Sequence, residues 1–168
     1  MDKHLITREI GIDMGHRVTY HGSKCKNLHG HRYTIQATCE GELFKEGEQQ
    51  GMVLDFGFLK EEMMQQIDEP CDHGTTLWLE DPILRSVLTD EQFTMCVRGI
   101  NSAGKALLVL NEVFTKLYVV PFVPTAENLA KHWFERLAPR VSNRTNGQAK
   151  LLKIKVWETP NCSAEYLI

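Results

Sequence analysis

Apolar residues recur at every second position along two long runs. Ile10, Ile12, Met14, His16 and Val18 share one face of the run from Ile6 to Val18. His29, His31, Tyr33, Ile35, Ala37 and Cys39 share one face of the run from His29 to Glu40, with Arg32, Thr34, Gln36, Thr38 and Glu40 on the other. Period two marks a half-buried strand, so the two runs read as a β-hairpin with a long connection through Tyr20-His21-Gly22-Ser23-Lys24. Gly41 to Gly51 reads as a polar loop and Met52-Val53-Leu54 as a short third strand. The period then changes. Leu59, Met63 and Ile67 form one stripe of a helix that starts near Phe58 and ends near Pro70.

Residues 71–75 (CDHGT) read as a loop. Asp81-Pro82 opens a short helix over Ile83 to Leu88, and strands are expected over Lys105 to Leu110 and Lys116 to Val120, the second ended by Pro121 and Pro124. Thr125 then caps a helix whose apolar face is Ala126, Leu129, Ala130, Trp133, Phe134 and Leu137. Glu127 lies in its first turn, where the helix dipole favours a negative charge. A polar loop, Ser142 to Gln148, leads to a last strand, Lys150 to Glu158, with Leu152, Ile154, Val156 and Glu158 on one face. Strands with two covering helices imply an α+β fold.

The 168 residues suit one domain with its own core. A formal net charge of -3 removes the basic excess expected of a nucleic-acid binder. No run of 18 apolar residues is present, so no transmembrane helix is expected. The opening MDKHLITREIGID has no apolar signal-peptide core, and the expected compartment is the cytoplasm. Five cysteines, Cys25, Cys39, Cys71, Cys96 and Cys162, are an odd number without a CxxC pair, which argues against a disulfide framework.

The segment CKNLHGH, Cys25 to His31, carries the candidate chemistry. Residues two apart on a strand point the same way, so His29 and His31 present both imidazoles on one side. Twelve residues separate His16 from His29, a workable length for a hairpin that brings three imidazoles together. Three neutral imidazoles suit zinc and leave a position open for water or substrate. His21 is an alternative to His16 as the third ligand. Cys25 stands between Lys24 and Lys26, and positive neighbours and a metal lower a thiol pKa; an inert turn residue is the plain alternative. Asp72-His73 is either a carboxylate orienting an imidazole for proton transfer or a solvated loop pair. Glu158 ends an otherwise apolar face, where an unpaired carboxylate is costly. It either meets a ligand with N–H donors or reaches water at the strand end.

Taken together, IDMGHRV around His16, CKNLHGH, VLDFGFLK (53–60), DH at 72–73, PTAENLAKHWFERL (124–137) and VWETPNCSAEY (156–166) resemble the 6-pyruvoyltetrahydropterin synthase and 6-carboxytetrahydropterin synthase family. The resemblance implies a tunnelling fold (T-fold), an antiparallel four-stranded sheet with two helices on one face that assembles into an oligomeric barrel of three subunits, two such rings stacking as a hexamer. It implies that His16, His29 and His31 bind Zn2+, that Cys25 is the catalytic cysteine, and that Asp72 and His73 work with it in proton transfer. It implies that Glu158 anchors a pterin ring, with Thr159 beside it and Glu127 nearby, and that the sites lie between subunits.

The spacing of Cys25 from HGH is similar to that of the bacterial 6-carboxytetrahydropterin synthases of queuosine and 7-deazapurine biosynthesis. The implied substrate is the small molecule 7,8-dihydroneopterin triphosphate, split to 6-carboxytetrahydropterin, acetaldehyde and triphosphate. The alternatives are triphosphate elimination to a 6-pyruvoyl product, or a non-catalytic pterin-binding oligomer. Neither nucleic acid nor membrane is an expected partner. Lys24, Lys26, Arg98 and Lys105 are candidate triphosphate cations. Fifty residues separate His73 from Pro124, so an insertion is expected around 76–120. It would act as a lid, as an extra strand pair at an interface, or to change the substrate.

Overall fold

The two alternating runs form β1 (His4–His16) and β2 (His29–Gly41), paired antiparallel with His16 opposite His29 and His4 opposite Gly41. The structure, a computed structural model, describes residues 2–103, 106–110 and 116–168. Ile10, Ile12 and Met14 of β1 and Tyr33, Ile35, Ala37 and Cys39 of β2 are all buried on the shared face. Each large side chain so buried contributes about 1.5–3 kcal/mol.

Two helical segments cover this face. α1 (Phe56–Met63) starts on Asp55, whose carboxylate accepts from the Gly57 N–H, and continues through a π turn, Met64–Asp68, into α2 (Glu69–Cys71). Leu59, Met63, Ile67 and Cys71 are spaced four apart and all buried. Four-residue steps drift about 40° each around an α-helix, and the wider π turn limits that drift. α5 (Ala126–Arg144) is capped by Thr125 and buries Leu129, Ala130, Trp133, Phe134, Leu137 and Val141. It runs past Pro139 into the expected loop. Beyond it the buried Thr145 donates to the Val141 carbonyl and accepts from the Ala149 N–H, fixing the turn into the next strand.

The sheet differs from the expected four antiparallel strands. Among the described residues it is mixed and seven-stranded, in the order β4-β5-β3-β1-β2-β6-β7. β1, β2, β6 (Ala149–Thr159) and β7 (Cys162–Leu167) are antiparallel neighbours. β3 (Gly74–Trp78) and β5 (Leu117–Val120) extend the sheet in parallel beyond β1, and β4 (Leu107–Val109) closes that side antiparallel. The additional strands come largely from the segment expected as an insertion. That segment also holds α3 (Leu84–Val87) and α4 (Asp90–Ala103). Leu77, Leu84, Leu88, Cys96, Ile100, Val109, Leu117 and Val119 form a second apolar cluster there.

Several expectations change in detail. Met52-Val53-Leu54 is not a strand, although Val53 and Leu54 are buried. Gly74 and Thr75 open β3 rather than a loop. α4 went unread, although Thr89 and Gln92 form a reciprocal capping box at its start, each side chain bonded to the other's N–H. Leu151, not Leu152, is buried, because the β2–β6 register shifts between Thr38 and Cys39 and leaves Leu152 as the extra residue of a bulge. Lys105, and with it the start of the strand expected from it, lies outside the described residues.

Candidate active site

The β1–β2 register places the three histidines. His16 and His29 are directly paired, and His31 follows two residues along β2 on the same face. Gly30 faces Gly15 across the ladder, and a Cβ at Gly30 would stand 3.2 Å from the Met14 carbonyl oxygen. The glycine therefore lets the strands approach closely where the imidazoles gather. The ring centroids of His16, His29 and His31 are 4.6, 5.2 and 4.9 Å apart pairwise, and one ligand atom from each lies within 4.8 Å of the others.

Hydrogen bonds fix two of the rings. His16 Nδ1 lies 2.7 Å from the Pro124 carbonyl oxygen, and His29 Nδ1 lies 2.8 Å from that of Asn27. A carbonyl only accepts, so each Nδ1 carries a proton and each ring turns its Nε2 outward. His16 is buried, and its Nε2 has no hydrogen-bond partner among the described residues. Burial lowers the His16 and His31 pKa values, against the opposing pull of the Glu158 carboxylate on both and of the Pro124 carbonyl on His16. A buried lone pair without a donor, in a cluster of three imidazoles, fits a divalent cation and in particular zinc. His21, the alternative ligand, is exposed and outside this cluster; its Nδ1 accepts from the Ser23 N–H.

Glu158 reaches the same place from β6. The β6–β7 register shifts between Trp157 and Thr159, so Glu158 is the extra residue of a second bulge, a device that re-aims a side chain. Its Oε1 lies 3.5 Å from His16 Nε2, 3.9 Å from His31 Nε2 and 3.4 Å from the Tyr33 hydroxyl, which donates to it. Tyr33 is fully buried, and burial, with Glu158 beside it, raises its phenol pKa well above the ordinary value. Nothing in the alternation of β2 marked Tyr33 as more than a core residue.

A cleft of about 240 Å³ opens beside the histidines. His16, His21, Cys25, Glu127, Glu158 and Cys162 contribute to its walls. Cys25 occupies a single 3-10 turn, Lys24–Lys26, and is half-buried. Glu127 comes from the first turn of α5. Thr159 closes the β6–β7 hairpin, where its hydroxyl accepts from the Asn161 N–H, and it is not among the cleft residues. Lys24 and Lys26 are exposed on the Cys25 turn, and Arg98 lies on α4 away from this cleft.

Asp72 and His73 stand apart from the cleft, at the start of β3. His73 Nδ1 lies 2.7 Å from Asp72 Oδ2, so these neighbours do bond each other directly. His73 adopts φ 53°, a left-handed conformation uncommon outside glycine, and its N–H donates to the Asp13 carbonyl. The Asp13 N–H donates to Asp72 Oδ1 and the Lys116 ammonium to the Asp72 carbonyl. Burial works to raise the Asp72 pKa, but the Asp13 N–H, the His73 ring and Lys116 hold it below the usual carboxylate value. His73 is 77% exposed, free to meet a group outside this chain.

A family model for 6-pyruvoyl tetrahydropterin synthase matches residues 5–167. Among relatives named 6-carboxy-5,6,7,8-tetrahydropterin synthase, that of Haemophilus influenzae is 32% identical over 161 residues, covering 96% of each chain. That of Aquifex aeolicus is 30% identical over 145 residues, covering 86% of this chain and 76% of that one. A solved structure of an uncharacterized protein from Wolinella succinogenes is similar with a TM-score of 0.75 at 24% identity, covering 99% of each chain. Caenorhabditis elegans 6-pyruvoyl tetrahydropterin synthase is similar with a TM-score of 0.62 at 24% identity, covering 100% of this chain and 97% of that one. The two structures speak to the fold, and the match over nearly the whole sequence to the family. The chain belongs to the 6-pyruvoyl tetrahydropterin synthase family.

Proposed function

We propose that this protein is a zinc-dependent 6-carboxy-5,6,7,8-tetrahydropterin synthase. With water, it converts 7,8-dihydroneopterin triphosphate to 6-carboxytetrahydropterin, acetaldehyde and triphosphate, a step of queuosine and 7-deazapurine biosynthesis. The observation that carries this reading is the cluster of His16, His29 and His31 beside a cleft that also holds Cys25 and Glu158. Relatives that match 96% and 95% of the chain are named for the same product, 6-carboxy-5,6,7,8-tetrahydropterin.

His16, His29 and His31 would hold the zinc through Nε2. A zinc ion there supplies fixed positive charge next to the substrate's side-chain hydroxyls. Glu158 accepts hydrogen bonds from the N–H edge of the pterin and sets the ring so that its side chain falls toward the histidines. The Cys25 thiolate removes a carbon-bound proton from that side chain. Glu127 and Thr159 border the pterin end. Asp72 orients His73 as a proton carrier. Because this pair stands away from the cleft of its own chain, it serves the cleft of a neighbouring copy, and the working enzyme is a homo-oligomer with shared sites. β4 and β7 are the edge strands of the sheet among the described residues, and edges of this kind favour such an assembly.

The test is incubation of the zinc-loaded protein with 7,8-dihydroneopterin triphosphate and identification of products by mass, alongside Cys25→Ala. A 6-carboxytetrahydropterin with acetaldehyde, lost in the variant, is the expected result. A 6-pyruvoyl product without acetaldehyde would replace the proposed reaction with triphosphate elimination. Binding without turnover would reduce the protein to a pterin-binding oligomer.

A further inference from the structure

The segment 76–120 grips the loop that carries Cys25. After His16 the chain leaves β1, and three of the next four residues meet that segment. Arg17 Nε lies 2.9 Å from Asp81 Oδ2, and the Thr19 hydroxyl donates to the same oxygen at 2.5 Å. The Tyr20 ring stands edge-on to that of Trp78, with centroids 6.1 Å apart. Asp81 is itself held in its own turn. Its Oδ1 accepts from the Ile83 N–H, and its N–H donates to the Trp78 carbonyl. The carboxylate is fully buried, and Thr19 is the one buried residue among residues 17–28, all of which are described.

Val18 lies between the two gripped residues, and its backbone connects them to the cysteine. The Val18 N–H donates to the Cys25 carbonyl at 2.8 Å, and the Val18 carbonyl accepts from the His21 N–H at 3.0 Å. Val18 and Cys25 line the same cleft. A buried carboxylate is costly unless paired, so the loop conformation that brings both Arg17 and Thr19 to Asp81 is the favoured one. That conformation sets where Cys25 stands.

We propose that Asp81 is a positioning residue for Cys25. It is anchored in the segment 76–120, holds the loop on both sides of Val18, and so keeps the thiol at the cleft. The assignment rests on the catalytic role proposed for Cys25. It also gives the segment a task other than a lid: it is the wall against which the cysteine loop is braced.

The test compares wild type with Asp81→Asn and Thr19→Val in the zinc-loaded full chain. Alkylation by iodoacetamide is followed by peptide mass across a pH series, with Cys162 of the same cleft as internal reference. Cys39, Cys71 and Cys96 are buried and report any global opening. Release of the loop raises the Cys25 to Cys162 rate ratio about threefold or more and lowers kcat about tenfold, with zinc content and KM little changed, because small misplacements of a reacting group are costly. An unchanged ratio overturns the proposal, as does an unchanged kcat where Cys25→Ala abolishes turnover. If Asp81→Asn exposes the buried cysteines, Thr19→Val decides, since it leaves the carboxylate and Arg17 in place. If Cys25→Ala retains full turnover, the catalytic reading of Cys25 fails, and the alkylation ratio alone decides whether Asp81 sets the position of the thiol.

Discussion

Replacing His29 by alanine is expected to remove most of the stabilisation that zinc gives this protein. The three ligand atoms lie within 4.8 Å of one another before any metal draws them together. Tetrahedral zinc at 2.0–2.1 Å from each nitrogen needs them about 3.4 Å apart. The remaining closure, at most ~1.4 Å per pair on that geometry, is within the reach of side-chain torsions on a fixed ladder. Zinc that binds the folded chain alone, at a hundred times its Kd, adds about 2.7 kcal/mol. For a chain of this length that is a rise of about 5–11 °C in Tm.

Losing a partner that only orients a ligand costs about ten- to hundredfold in affinity, and losing a ligand costs at least the upper figure. A hundredfold weaker Kd at the same free zinc leaves about 0.4 kcal/mol, or about 1 °C. The assay is thermal unfolding of EDTA-stripped wild type and His29→Ala with and without zinc, with metal content by elemental analysis. Each protein's zinc-free Tm is its own reference. A His29→Ala variant that keeps the full zinc-dependent rise, or a wild type that shows none with one equivalent bound, would refute the argument.

Three further outcomes are expected. Ile35 is fully buried at the centre of β2, paired with Ile10 and Val156, so Ile35→Ala costs about 2–5 kcal/mol in urea unfolding. Burial, and then Arg136, pushes the His132 pKa down to about 4, below its unfolded value, so the unfolded chain binds more protons in between. Stability from this group is full above about pH 6.5 and falls by about 2 kcal/mol between pH 7 and pH 5; His132→Gln removes that part of the slope. Glu158→Gln keeps the shape but loses the charge that strengthens hydrogen bonds to the pterin edge, and it raises KM about tenfold or more while zinc content holds.

The histidine cluster was legible in the sequence because it depends only on period two and a return turn. His29 and His31 share a face by alternation, and His16 ends the facing run, so the β1–β2 pairing was sufficient. Glu158 was legible as an anomaly on an apolar face, but its aim was not, since a bulge at that residue cannot be read from the pattern. The phase of β6 was misread at Leu152 for the same reason. β7 escaped notice because Ser163 and Glu165 alternate with half-buried Ala164 and Tyr166 on an edge strand with little apolar signal. The polar run from Ser142 hid the last turn of α5, which continues to Arg144. Neither Arg17, Thr19 nor Asp81 stood out, for their meeting depends on a chain crossing 62 residues apart.

On the proposed zinc role, the pairing of His16 with His29 also makes metal content a reporter of strand phase. Strand side chains alternate with a period of two, so a slip of one residue between β1 and β2 turns every imidazole of one strand to the far side of the sheet. A slip of two keeps the faces and carries the histidines of one strand about 7 Å along the other: in one direction it separates them, and in the other it sets His16 opposite His31 with His29 as the diagonal neighbour. The slip of one always scatters the trio. On that proposed role, a chain that retains a full equivalent of the metal has its two central strands in phase, and metal analysis of a purified batch separates such molecules from those slipped by one residue before any activity is measured.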